Sequence, residues 1–225
     1  VIAKKFSNNQ NPLILPAKTT LLFFTSILLV YLVAGLFLQA SLGLGGIFIN
    51  QVFFLALPTA LISEAKGLGL EEWPAWKVPH LREIIATILI MLLLSVLVSQ
   101  LVSLQNAFWP LPEKVEIFYQ KLITIKSWPD GLVRVFVLAM TPAVCEEILF
   151  RGLIQPSWVA KFGKGWGMVL TNLAFAFAHG NLWHFHFYFI LGFSLSYLME
   201  WRGCLWLPIL GHFINNLWTL FSHGS

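Results

Sequence analysis

The chain has 225 residues and a formal net charge of +4, with 58% hydrophobic and only 11% charged side chains. Soluble domains carry roughly 45–50% apolar and about 25% charged residues, so this composition excludes an ordinary soluble protein. No basic stripe is interleaved with aromatics, which excludes a nucleic-acid binder, and with neither linker nor repeat, residues 1–225 read as one integral membrane domain.

A helix needs about 20 mostly apolar residues to cross the hydrocarbon core, because every backbone amide there must be bonded within its own segment. Residues 20–40, 46–63, 84–104 and 132–150 qualify. An apolar region over 165–199 is interrupted at His179-Gly180-Asn181, which divides it into a shorter helix at 167–179 and another at 184–199. The last run is 205–221. The expectation is an all-α polytopic bundle of seven spans, or eight if part of 113–128 is embedded. Residues 64–82 read as a polar loop with Trp73 and Trp76 at the interface. Trp109, Trp128, Trp158, Trp166 and Trp201 fall near predicted helix ends, where amphipathic rings favour the headgroup layer. Cys145 and Cys204 form no metal or redox motif and read as small packing residues.

Along seven spans, ten Lys and Arg residues fall on the N-terminal side, Arg151, Lys161 and Lys164 among them. Four, Lys114, Lys121, Lys126 and Arg134, fall on the other. Positive charge is retained in the cytoplasm, so the N-terminus is expected there.

Ionisable groups at membrane depth are costly and point to function. They concentrate in Cys145-Glu146-Glu147-Ile148-Leu149-Phe150-Arg151, in Phe175-Ala176-Phe177-Ala178-His179, and in His212-Phe213-Ile214-Asn215-Asn216. Glu147 and Arg151 stand four apart with the acid first, the favourable order for an intrahelical ion pair. Glu146 lies about 100° around the helix and lacks that partner, so its charge must be met by another helix, a metal or a proton. Such a carboxylate suits a general base. Phe175 and His179 share a helix face that also holds Asn172, and His212 shares one with Asn216. Converging with Glu146, these faces would supply a carboxylate, two imidazoles and a carboxamide, enough to deprotonate a water and stabilise an oxyanion. Glu146, His179 and His212 are also a reasonable zinc ligand set with an open position. His184 and His186 read as interfacial anchors, and Gly163, Gly165 and Gly167 make no phosphate loop.

In order and type, the three motifs resemble the EExxxR, FxxxH and HxxxN motifs of the CAAX-protease and bacteriocin-processing (CPBP, or Abi) family of intramembrane endopeptidases. The segment 203–212 is similar to the family's stretch before the last histidine, with Cys204 where serine is commoner. The resemblance covers about 135–217, within a motif-bearing core at 131–222. It implies an endopeptidase that uses a buried water, with Glu146 and His179 activating it and His212 and Asn216 holding the oxyanion. Glu147, Arg151, Phe175 and Asn172 would be supporting residues. Metal dependence in the family is argued both ways. Direct water activation is preferred here over zinc, because Asn216 sits one turn after His212 and asparagine is an uncommon zinc ligand. The implied partners are the lipid bilayer and a peptide or protein substrate, lipidated in the CAAX-type case, with no nucleic acid. Compact length suggests a prokaryotic cell membrane. A proteolytically silent scaffold or immunity protein, and a proton or ion transporter, are the alternatives; Asn216, which cannot carry protons, leans against the transporter. Counted from the predicted cytoplasmic helix ends, Glu146 and His212 lie about 6–11 Å deep but His179 about 18–20 Å. The cavity is thus expected to face the cytoplasm, with the fifth helix starting outside the bilayer or entering obliquely.

Overall fold

The computed structural model describes residues 14–73 and 75–223, which are mostly helical and contain no strand. Helix α1 is Ala17–Leu42, α2 Leu44–Ala65 and α3 Leu81–Phe108, and all three are long and apolar enough to cross a membrane. Helix α4 is Glu113–Ile123. A continuous helix, α5, runs over 128–162 and is followed after Gly163 by α6 at 164–178. Helices α7, Phe185–Arg202, and α8, Trp206–His223, complete the bundle. Leu21, Leu22, Leu29, Leu36 and Phe37 on α1, and Leu89, Leu93 and Leu97 on α3, are exposed. So much outward apolar surface is what lipid, not water, accommodates. The chain is an all-α membrane protein.

Residues 113–128 do not provide an eighth span. Helix α4 has 11 residues, none of them buried. It reaches only about 16 Å against a hydrocarbon core of roughly 30 Å, and it carries Glu113, Lys114, Glu116 and Lys121.

Between Thr141 and Gln155 every side chain except Val144 is buried, which places α5 in the middle of the bundle. Three stretches of π-helix interrupt the α-helical winding, at Val52–Ala56 in α2 and at Val135–Met140 and Ile148–Ile154 in α5. A proline, Pro58, Pro142 or Pro156, follows two residues after the end of each. Proline has no N–H to donate, and its ring crowds the carbonyl four residues earlier. Widening the preceding turn relieves both problems without ending the helix. Thr141 Oγ1 donates to the Phe136 carbonyl at 2.8 Å, satisfying an acceptor inside one of these wide turns.

Cross-helix bonds fix which ends lie together. At one end the Leu15 N–H donates to Ser157 Oγ, Arg202 pairs with Glu83 at 2.7 Å, and the Leu205 N–H donates to the Ala75 carbonyl. At the other, Gln105 Nε2 donates to the Trp183 carbonyl and Asn181 Nδ2 to the Tyr119 hydroxyl. These pairings make α1, α2, α3, α5, α6, α7 and α8 alternate up and down.

Two tryptophans are not interfacial. Trp73 is buried, donates from Nε1 to Ser63 Oγ at 2.8 Å, and lies against Gly152, where an added Cβ would come 1.9 Å from its ring. Trp158 is buried edge-on to Phe24. Trp109, Trp128, Trp166 and Trp201 are exposed. Cys145 and Cys204 are buried free thiols.

Helix α5 also extends twelve residues beyond Phe150, so Arg151 lies inside it and is fully buried. It belongs to the interior and leaves nine Lys and Arg residues to set orientation on the N-terminal side, of which Lys4 and Lys5 lie outside the described residues. Cysteine labels at Lys77 and in 161–165 should react together from the cytoplasmic side, and labels in 113–121 from the other. Reaction of 161–165 and 113–121 from one side would overturn the alternation.

Candidate active site

The site begins with a hairpin. Gly163 adopts φ 78° and ψ 164°, a conformation that L side chains resist, and turns α5 back into α6 without a loop. Gly167 then seats directly on Val159, whose Cα would lie 2.5 Å from an added Cβ. Glu146 stands seventeen residues before Gly163 and His179 sixteen after it, so both sit about 24–26 Å from the turn. This removes the depth mismatch expected from the sequence, which arose from ending the fourth span at Phe150.

His179 and Glu146 therefore meet. The ring Nδ1 of His179 lies 2.8 Å from the Phe175 carbonyl. A carbonyl only accepts, so Nδ1 carries a proton, and in the neutral ring Nε2 keeps its lone pair. That Nε2 faces Glu146 Oε2 at 3.9 Å, a separation too long for a direct bond. The other carboxylate oxygen, Oε1, accepts at 2.8 Å from Gln51 Nε2 on α2, while Oε2 is buried with no hydrogen-bond partner among the described residues. Tyr188 on α7 stacks on the His179 ring, centroids 4.0 Å apart.

Below this pair lies a fully buried ionic network. Glu147 Oε1 accepts from Arg151 Nη1 at 3.0 Å and from His212 Nδ1 at 2.8 Å. Arg151 Nη2 donates to the Gly192 carbonyl at 2.7 Å and to Asn172 Oδ1 at 3.2 Å, and Asn172 Oδ1 also accepts from Ser196 Oγ. The network ties α5, α6, α7 and α8 together. It requires a glycine at 192, since a Cβ there would stand 2.8 Å from Asn172 Oδ1 and 2.9 Å from the Phe175 ring. Phe175 joins the two layers: the Arg151 guanidinium lies 4.5 Å over its ring, and the ring centroids of His179 and His212 are 4.7 and 5.7 Å away.

Glu146, His179, Phe175, Glu147, Arg151, Asn172 and His212 thus form one connected cluster. Asn216 is not joined to it by a hydrogen bond among the described residues; its Nδ2 donates to the Ala139 carbonyl at 3.4 Å. Among the described residues no three His, Cys, Asp or Glu side chains come together as a metal site. His184 and His186 stand apart from the cluster at the start of α7.

Reasoning from sequence missed the N-terminal half of the site. Tyr31 and Gln51 stand beside Glu146, with Gln51 Nε2 also 3.1 Å from the Tyr31 hydroxyl. Asn50-Gln51, a pair of carboxamides inside an apolar run, was the available signal. The Glu146–His179 pair also lies nearer the other helix ends than expected. His179 caps the end of α6 near Asn181 and Trp183, opposite Leu15 and Ser157. If the Lys/Arg-rich end is cytoplasmic, the Glu146–His179 pair lies toward the outer face, and the labelling experiment above settles both points together.

Residues 128–218 match the family model described as type II CAAX prenyl endopeptidase Rce1-like. The matched stretch holds α5, α6, α7 and most of α8 and every motif of the cluster, while Tyr31 and Gln51 lie outside it. The chain is also 24% identical over 86 residues to a Bacillus subtilis protein described as "Putative membrane peptidase YdiL". The matched stretch is 38% of this chain and 35% of that protein, so about a third of the relative's length is represented. No solved structure matches the chain.

Proposed function

We propose that the protein is an intramembrane endopeptidase that hydrolyses a peptide bond with a water activated by Glu146 and His179. One observation carries this reading: two acceptors, Glu146 Oε2 and His179 Nε2, face each other 3.9 Å apart, each held from behind by a separate bond. A water placed between them donates one proton to each and directs its lone pairs outward, toward a scissile carbonyl. As the water attacks, its proton passes to Glu146, which returns it to the leaving amine. His212 and Asn216 receive the oxyanion, a role that the motif resemblance supports. With Nδ1 donating to Glu147, His212 can offer a donor at Nε2 only as the imidazolium, whose charge Glu147 faces at 2.8 Å. The substrate class is a membrane-associated peptide or protein, of CAAX type or related.

The test uses full-length protein in liposomes and two internally quenched peptides with a CAAX-type terminus, one farnesylated and one not. Cleavage of either peptide is the expected result, and a preference for the farnesylated one would assign prenyl specificity. Exhaustive chelation is expected to leave cleavage intact. Stoichiometric zinc whose removal abolishes cleavage would replace direct activation with a metal mechanism. Cleavage of neither peptide would favour the scaffold reading.

A further inference from the structure

The bond from Gln51 to Glu146 crosses ninety-five residues of sequence and joins α2 to the centre of the site. A carboxylate can only accept, so Gln51 must present its NH2 end to Glu146, and that end also lies 3.1 Å from the Tyr31 hydroxyl. Gln51 is buried and stands immediately before the π-helical turn Val52–Ala56. Its neighbour Asn50 donates to the Tyr31 backbone carbonyl at 3.2 Å, which locks α1 and α2 in register behind the amide. Glu146 Oε1 is thereby occupied, and only Oε2 is left to address His179.

We infer that Gln51, backed by Tyr31, is a positioning residue that fixes the rotation of the Glu146 carboxylate so that Oε2 alone faces His179. The inference rests on the reading of Glu146 as the base. It means that the α1–α2 pair, outside the stretch that the family model matches, contributes to the active site. Among the described residues, Tyr31 on α1, Gln51 on α2, His179 on α6, Tyr188 on α7, and Cys145, Glu147 and Arg151 on α5 itself stand around Glu146.

Gln51→Met keeps the side-chain length and removes the donor. Two readouts apply to the detergent-solubilised full chain. The infrared carboxyl band that disappears in Glu146→Gln should shift in Gln51→Met, because one oxygen has lost its hydrogen bond. With the farnesylated quenched peptide, kcat should fall about 10- to 100-fold with KM unchanged, the signature of a misplaced reacting group. Gln51→Asn, which keeps an amide but withdraws it from Glu146, carries the same expectation and serves if the methionine variant does not fold. An unshifted band in a folded variant would overturn the inference, whatever the activity. If Glu146→Gln retains full activity while the band shifts, the base assignment fails and the Gln51 contact stands.

Discussion

Glu146→Gln is expected to lower turnover about 10²–10⁴-fold, the usual contribution of a general base, while the variant melts where the parent does. The two halves of this expectation come from different contacts. The glutamine oxygen can still accept from Gln51 Nε2, so the bond that ties α2 to α5 survives at its present 2.8 Å. The amide nitrogen would then occupy the place of Oε2 opposite His179 Nε2, where it can donate but cannot take a proton from water. Turnover equal to the parent's in the quenched-peptide assay would end the assignment of Glu146 as the base.

Glu147→Gln is expected to damage both stability and turnover. Its carboxylate oxygen serves Arg151 and His212 together, and the side chains of Glu147 and Arg151 are 0% exposed. Neutralising the acid leaves the guanidinium as an uncompensated buried charge, at a cost of about 3–5 kcal/mol. That corresponds to a fall of about 6–20 °C in melting temperature for a chain of this size. Sequence spacing alone suggested only this loss. The structure adds a second, because the same Glu147 oxygen also accepts from His212 Nδ1 and holds that ring in place. Thermal melting of Glu147→Gln and of the double variant Glu147→Gln/Arg151→Met separates the two effects. The double variant should recover part of the stability and none of the activity. An unchanged melt for the single variant would show that another group meets the charge on Arg151.

Much of the site was legible because its chemistry is written at helical spacing. Glu147 and Arg151 sit four apart and do pair, and His179 and His212 stood out as imidazoles in apolar runs. The span boundaries were harder. Arg151 looked like the end of a helix because a charge in lipid normally marks one. Glu147 answers that charge inside the protein, and the helix continues to 162. Trp73 looked interfacial for a similar reason: its loop is polar, and only the tertiary fit against Gly152 reveals that it packs inward. Gln51 was overlooked because an amide carries no charge to flag it, and nothing local connects it to Glu146. The alternation of ends followed from run lengths and polar interruptions, which is why seven helices and their order were readable before any contact was known. The short α4 shows the limit of that method, since a partly apolar stretch becomes a surface helix when four charged residues occupy it.

The turn at Gly163 works like the pivot of a pair of callipers whose jaws are Glu146 and His179. Because the two arms differ by a single residue, adding one residue to either arm would slide its jaw about 1.5 Å along the axis and swing it about 100° around it. Compensation on the opposite arm could restore the height but not the direction. Chains that keep this device should therefore hold the interval from Glu146 to His179 at one length.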